Sequence, residues 1–516
     1  MNSALPVVVV GGGPVGIVAA NLLDLQGVPV VVVERERDVH PLPRAANLDD
    51  EALRILQGLG VGEAIRTAVH AVRGVQLATT PDDVVWHLRD DLSPSPNGWP
   101  RTNLFQQPLV ERALRDRLAR SPRARVLLGR EVRTLTPDGD AVRVGLGDQE
   151  LTASWVLACD GANSTVRELL GIPLHDRGFA QRWLVVDTEV DALLTYAVPQ
   201  QICDPAQPRT FVPMAPGRYR WEFLLQPGVD VDGFLAEASI NERVVPWTGG
   251  HEVRVVRQAA YRFRSLRAQR WREGRVFLLG DAAHQMPPFL GQGLCAGLRD
   301  AANLTWKLAL VREGAAGDAL LDTYQAERAP HVDLATSLAV GLGWLVAGRG
   351  RGLLRLGARL PAPVRRRLEH VETPGLRPGP LVRPAGWALR RVRSSGLLGR
   401  GDAGFTFPQP RVTRAGRSVP LDEVLGPGFA LVGLGEDPWR LLSDPAQRFW
   451  KSVGARAVQI GVDAHDPAGL LTGWFRRHHA HVAVVRPDRY VLAVCQGPGL
   501  LTLEETTSLT RRSLAR

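Results

Sequence analysis

The chain predicts a multidomain α/β fold, on three observations. It opens on a strand, a glycine turn, a helix and a second strand; a parallel-strand pattern returns after residue 275; and short runs rich in β-branched and aromatic residues lie between. At 516 residues and 45% hydrophobic content it can bury two or three cores.

The opening strand is Val7 to Val10, the helix Ile17 to Gln26 and the second strand Val28 to Val33, both strands apolar throughout as buried parallel strands are. A further helix is predicted from Asp49 to Leu59, with acidic residues at its start and Gly60 at its end. From Gln181 the pattern changes: Trp183 to Thr188, Thr210 to Pro213 and Tyr219 to Leu225 read as an antiparallel sheet inserted between two halves of one domain. Arg275 to Leu279 restores the parallel pattern, and a long helix follows from about Leu294 to Val311. Residues 341–400, dense in Arg, Gly, Leu and Pro, predict a helical arm and an irregular connection. Beyond residue 401 the apolar runs Phe429 to Val432, Ala457 to Ile460, Val482 to Val485 and Tyr490 to Val494 predict a third, α/β unit.

Composition narrows the function. Cys159, Cys203, Cys295 and Cys495 lie far apart with no C-x-x-C pair, so neither a metal site nor a redox dithiol is expected. A cytoplasmic setting fits. The apolar stretch Leu334 to Gly348 falls short of a span, and Met1 to Pro6 lacks the features of an export signal, so neither membrane insertion nor export is expected. The net charge of +10 rests on scattered arginines, Lys307 and Lys451 being the only lysines, which reads as coding bias first and, functionally, as a weak attraction for anionic cofactors and substrates rather than for nucleic acid.

Three stretches carry chemistry. Gly11-Gly12-Gly13-Pro14-Val15-Gly16 is a G-x-G-x-x-G between a strand and a helix; Gly11 allows the turn, Gly13 admits a pyrophosphate and Gly16 lets helix and sheet pack. The helix start offers free N–H groups to phosphate. Glu34 ends the second strand, where a carboxylate accepts from an adenosine ribose, and Arg35 follows it. Next, Trp155 to Cys159 runs into Asp160-Gly161-Ala162-Asn163-Ser164, which alone is also what an ordinary turn with a capping Asp looks like. Last, Gly280-Asp281-Ala282-Ala283-His284 sits at the carboxyl end of a parallel strand and leads through Pro287 to Gly291-Gln292-Gly293-Leu294, the start of another helix.

Together these motifs resemble the signature of single-component FAD-dependent aromatic hydroxylases of the para-hydroxybenzoate hydroxylase type. Arg44-Ala45, Asp49 to Arg54, Arg299-Asp300-Ala301, Trp306-Lys307-Leu308, Leu321 to Gln325 and Arg486 to Val491 resemble the 3-(3-hydroxyphenyl)propionate hydroxylases in particular. The resemblance implies a Rossmann-like FAD-binding domain in two parts, 1–180 and 266–340. It further implies a substrate-binding sheet at 181–265, the arm at 341–400 and a thioredoxin-like domain at 401–516. Gly11, Gly13, Gly16 and Glu34 would hold the adenosine diphosphate part of FAD, with Arg44 and Gln106 on the pyrophosphate and ribityl region. Asp281 would hold a ribityl hydroxyl, Pro287 and Gly291 to Leu294 would line the isoalloxazine, and Asp160 would serve both FAD and the nicotinamide cofactor. Cys295 departs from the family, whose members often carry Asn there.

The implied activity is hydroxylation of a phenol with O2 and transiently bound NADH or NADPH, through a flavin C4a-hydroperoxide; no side chain stands out as a catalytic base. 3-(3-Hydroxyphenyl)propionate or 3-hydroxycinnamate is the expected substrate. Tyr219, Trp221, Phe223 and Phe289 are candidates for the substrate wall, although alternation at 219, 221 and 223 is equally that of a packed strand face. Arg182, Arg209 and Arg220 are candidates for a substrate carboxylate, although exposed arginines are the commoner case. The last unit is expected to serve packing or a homodimer contact, the sequence leaving the oligomeric state open. Two alternatives remain open: a tailoring hydroxylase of an aromatic polyketide or other secondary metabolite, and a basic protein that binds a polyanion through residues 349–393.

Overall fold

The computed structural model describes residues 5–226, 228–229, 233–234, 236–348, 404–495 and 502–515. The expected arm at 341–400 and the arginine-rich segment 349–393 therefore lie, beyond residue 348, outside the described residues.

Six strands form the first sheet, in the order Arg272–Glu273, Val276–Leu278, Trp155–Ala158, Val7–Val10, Val30–Glu34 and Ala124–Leu128. All neighbours are parallel except the two-residue edge strand. Val7–Val10 is buried along its whole length, as a strand covered on both faces must be. The helices Pro14–Leu25 and Gly293–Arg312 lie against one another with little room: a Cβ on Gly297 would come within 2.6 Å of Val15 Cγ2 and 3.2 Å of Gly280 Cα.

The second sheet has eight strands, in the order His284–Gln285, Val253–Ala268, Leu174–Val190, Arg218–Leu224, Arg209–Ala215, Gln200–Ile202, Gly74–Ala78 and Val84–Arg89. The last two come from inside the segment expected to be purely nucleotide-binding. They join through the parallel pairing of Gln76 to Ala78 with Gln200 to Ile202, a contact between distant segments that no local pattern announces. One face of this sheet packs Phe211, Tyr219, Trp221 and Phe223 against Ile240, Val244 and Trp247. Ring centroids of Phe211 and Trp247 are 5.9 Å apart, a stacking distance.

A third, four-stranded sheet orders Arg456–Ile460, Ala430–Leu434, Val482–Val485 and Val491–Cys495, the first pair parallel and the rest antiparallel. This unit docks on the nucleotide domain through buried polar contacts. Glu327 accepts from Arg486 at 3.0 and 2.9 Å, from Lys307 at 3.0 Å and from Asn303 at 2.7 Å. Tyr490 donates to Glu51 at 2.8 Å, and Arg54 grips Asp422 with two bonds of 2.8 Å. Edge-on contact of Trp306 with Phe429, centroids 5.5 Å apart, seals the joint with apolar area.

The helix Ala319–Val346 is long and apolar enough, by length and composition, to cross a membrane. In the fold its buried side carries Tyr324, Glu327, Arg328, Val332, Ala339 and Gly343, and two of those are ion-paired charges.

Candidate functional site

A cavity of about 940 Å³ opens where the carboxyl ends of the first sheet, one face of the second sheet and the third unit meet. All three sequence stretches reach it.

The first stretch is built by its glycines. Gly11 has φ +95 and its N–H donates to Val33 across 2.8 Å, so the chain turns tightly off the strand. A Cβ on Gly16 would strike the Gly11 carbonyl. Gly13, by contrast, has nothing within 4 Å of where a Cβ would stand, leaving open space above the helix start. That helix has no side-chain cap and no acidic residue in its first turn, so its leading N–H groups are available to an anion. Glu34 fixes the turn, accepting from Gly12 N–H at 2.6 Å and from Glu36 N–H at 2.8 Å. Arg44 is exposed to the cavity, its backbone N–H held by Gln107 Oε1 at 2.9 Å.

In the second stretch Asp160 both caps and waits. Its Oδ2 accepts from Val166 N–H at 3.0 Å, while its buried Oδ1 has no partner. Desolvation raises its pKa, against the pull of Ser164 and of the Val166 N–H. Arg167 ties this corner to the third stretch by donating to the Ala162 and Ala282 carbonyls at 3.1 and 3.2 Å.

In the third stretch Asp281 stands open to the cavity without a hydrogen-bond partner among the described residues. Desolvation by the surrounding protein raises its pKa, with His284 and Arg44 pulling it down. His284 faces away from that chemistry. Its Nε2 lies 2.6 Å from Asp300 Oδ2, which also accepts from Gly280 N–H at 3.1 Å, and Arg328 holds the other Asp300 oxygen at 2.8 Å. Burial opposes the Asp300 charge, but His284 and Arg328 outweigh it and keep its pKa below the ordinary value. This network positions the Gly280 turn. Gly291, at φ +62, then turns the chain into the uncapped helix Gly293–Arg312.

Of the expected residues, Gly11, Gly13, Pro14, Val15, Glu34 and Arg35 line the cavity, as does Arg44. So do Asp160, Asp281, Phe289 and Gly291 to Leu294. Gly12, Gly16, Gly280 and Ala282 shape the turns behind the wall and are not part of it. Two positions shift by one residue along the chain. Gln107 rather than Gln106 reaches the wall, since Gln106 is the residue before the helix Gln107–Ala119, and Pro288 stands there rather than Pro287. Cys295 is buried, its thiol 3.9 and 3.8 Å from the Asn47 and Gly291 carbonyls, and burial pushes its pKa up.

The substrate wall needs correction. Tyr219, Trp221 and Phe223 point into the aromatic cluster on the far face, so the packed-face reading of their alternation holds. The residues between them, Arg220 and Glu222, are the ones that line the cavity, with Thr210 and Gln201 on the neighbouring strands. The same period of two that marks the aromatic face assigns the intervening residues to this side. Arg220 is buried and engaged: it binds Asp187 at 2.6 and 3.1 Å and the Arg44 and Pro43 carbonyls at 2.8 and 2.6 Å. Arg209 lies over the Trp247 ring at 5.2 Å, and neither it nor Arg182 lines the cavity.

The family described as "FAD binding domain" matches residues 4–339, and that described as "HcaD C-terminal domain" matches residues 404–508. A probable NADH-specific resorcinol 4-hydroxylase of Rhodococcus jostii is 35% identical, over 96% of this chain and 93% of the relative. A 3-(3-hydroxy-phenyl)propionate/3-hydroxycinnamic acid hydroxylase of Klebsiella pneumoniae is also 35% identical, over 99% of this chain and 96% of the relative. Among solved structures, aklavinone-11 hydroxylase with FAD and aklavinone superposes with a TM-score of 0.78 at 24% identity, covering 99% of both chains.

Proposed function

Because the chain belongs to the FAD-binding-domain family, which spans residues 4–339, we propose that it is an FAD-dependent monooxygenase that hydroxylates a phenolic ring with NADH and dioxygen. The observation that carries the reading is one continuous cavity. Its lining at the strand ends suits an anionic dinucleotide, and its lining from the second sheet carries hydrogen-bonding side chains.

The residues present fit the cofactor. An unpartnered buried oxygen of Asp160, the free Asp281 carboxylate, the exposed Arg44 and an uncapped helix start are groups a dinucleotide would satisfy. Glu34 is suited to the adenosine ribose, the helix at Pro14 and Arg44 to the pyrophosphate, Asp281 to a ribityl hydroxyl, and the loop from Pro288 to Leu294 to the isoalloxazine. The chemistry FAD supplies when bound is acceptance of hydride from the nicotinamide and activation of dioxygen. The protein orients the ring and keeps water from the reacting atoms. Phe289, Leu290, Met286 and Leu342 give the cavity apolar walls for that purpose. We assign the enzyme to the cytoplasm, where its four unpaired thiols suit a reducing compartment.

The test is NADH and NADPH oxidation, with and without oxygen, across a panel of phenols with product masses recorded. A yellow protein that adds one oxygen atom to a phenol supports the reading. A colourless protein that refuses added FAD removes it.

A further inference from the structure

Part of the wall of the cavity, which the Pro288 to Leu294 loop also lines, is a row across the second sheet. Leu77, Gln201, Thr210 and Glu222 are successive register partners on four adjacent strands, and all four line the cavity. Residues paired in register point to the same face, so the row presents three polar side chains side by side. Thr210 is spent within the row, donating to Gln201 Oε1 at 2.8 Å. Glu222 is not: among the described residues its carboxylate has no hydrogen-bonding or ion-pair partner.

The charges near Glu222 are Arg220 and Asp187, with Arg257 on the next strand also pairing Asp187. Arg220 is committed to Asp187 and to two backbone carbonyls, and Arg257 lies 3.5 Å from the same Asp187, so among the described residues neither arginine hydrogen-bonds the Glu222 carboxylate. A carboxylate lodged in a cavity wall without a donor is costly unless a ligand supplies one. An O–H group can supply that donor, which a second carboxylate cannot. Burial and Asp187 raise the Glu222 pKa and Arg220 lowers it, with burial the largest influence.

Resting on the hydroxylase reading above, we propose that Glu222 receives a ring hydroxyl of the substrate and thereby selects neutral, hydroxylated rings over phenols that carry a carboxylate. A hydrogen bond from the phenol O–H to an ionised Glu222 anchors the ring and draws electron density toward it, which is what an electrophilic oxygen transfer requires. The proton stays shared between phenol and carboxylate, and no other reactant is needed. Glu222 acts only when ionised, so kcat/KM falls as pH drops through its raised pKa.

The experiment uses the holoenzyme as wild type, Glu222→Gln and Glu222→Ala, with resorcinol and 3-(3-hydroxyphenyl)propionate as probes. Turnover, flavin content, melting temperature and ligand Kd from perturbation of the oxidised flavin spectrum are read for each. Wild type is expected to favour resorcinol at least about tenfold in kcat/KM. Both variants should raise resorcinol Kd and KM about tenfold or more with flavin content unchanged, which is the scale of a hydrogen bond to a charged group. The Gln variant should also lose the acidic limb of the pH profile and narrow the preference. Unchanged resorcinol Kd in the isosteric Gln variant, or a wild-type preference for the propionate, overturns the assignment. Should wild type hydroxylate no phenol at all, the proposed function fails, and the Kd comparison still judges Glu222 on its own.

Discussion

Replacing Glu327 by Gln removes the anion at the joint between the nucleotide domain and the third unit. Glu327 is 4% exposed and sits between Lys307 and Arg486, exposed 0% and 1%. Burial alone would raise its pKa, but Arg486, then Lys307, and the bonds from Arg486 and Asn303 outweigh that and bring it to about 2 against an ordinary 4.5. At about 1.4 kcal/mol per unit, this shift corresponds to about 3 kcal/mol of stability. The general cost of breaking a buried pair, about 3–5 kcal/mol, points the same way. The sign follows from proton binding: the unfolded carboxyl takes up its proton first, so the contribution is full above pH 4.5 and lost as pH falls toward 2. Urea denaturation followed by tryptophan fluorescence at pH 7 should show Glu327→Gln destabilised by about 3 kcal/mol, with the gap to wild type closing between pH 4.5 and pH 2. A loss under about 1 kcal/mol at pH 7, or a gap that persists unchanged at the acid end, refutes the reasoning.

Arg44→Ala should lower FAD affinity about tenfold or more, with the deficit shrinking at high salt; flavin retained on desalting at two ionic strengths measures it. Gly16→Ala drives a methyl into the Gly11 carbonyl, so the protein should purify colourless or insoluble, whereas Gly58→Ala, whose Cβ position is open, should not differ from wild type in visible absorbance. Trp221→Ala should cost about 3–5 kcal/mol of stability through the cavity it leaves, yet leave resorcinol KM within about twofold because the ring faces the aromatic cluster. Thermal unfolding and steady-state kinetics on the same preparation separate the two effects.

The three motifs were readable because each is local: a strand, a turn and a helix start written in adjacent residues, as in Val7 to Gly16 or Val276 to Gly280. The second sheet was readable as strands but not as a whole, since Gly74–Ala78 and Val84–Arg89 join it only through pairing with Gln200–Ile202. Side-chain destinations were the least legible. Aromatic residues at 219, 221 and 223 drew attention by size, while Glu222, flanked by two of them, gave no sign that it lacks a partner. That depends on where Arg220 finds Asp187, on another strand, and on the Pro43 and Arg44 carbonyls. Gln107 and Gln106 are chemically alike, and only the start of the helix Gln107–Ala119 decides which one faces inward.

The order of strands in the first sheet bears on how the protein emerges from the ribosome. Trp155–Ala158 takes Val276–Leu278 as its neighbour, so for more than a hundred residues of synthesis one side of that strand has no partner. During that interval all of the second sheet but its edge strand His284–Gln285 is made, because Leu174–Val190 and Val253–Ala268 precede the missing strand. Translation thus makes most of the second sheet before the first is closed, and an apolar, unpaired β-edge is left exposed to other nascent chains until residue 278 clears the exit tunnel.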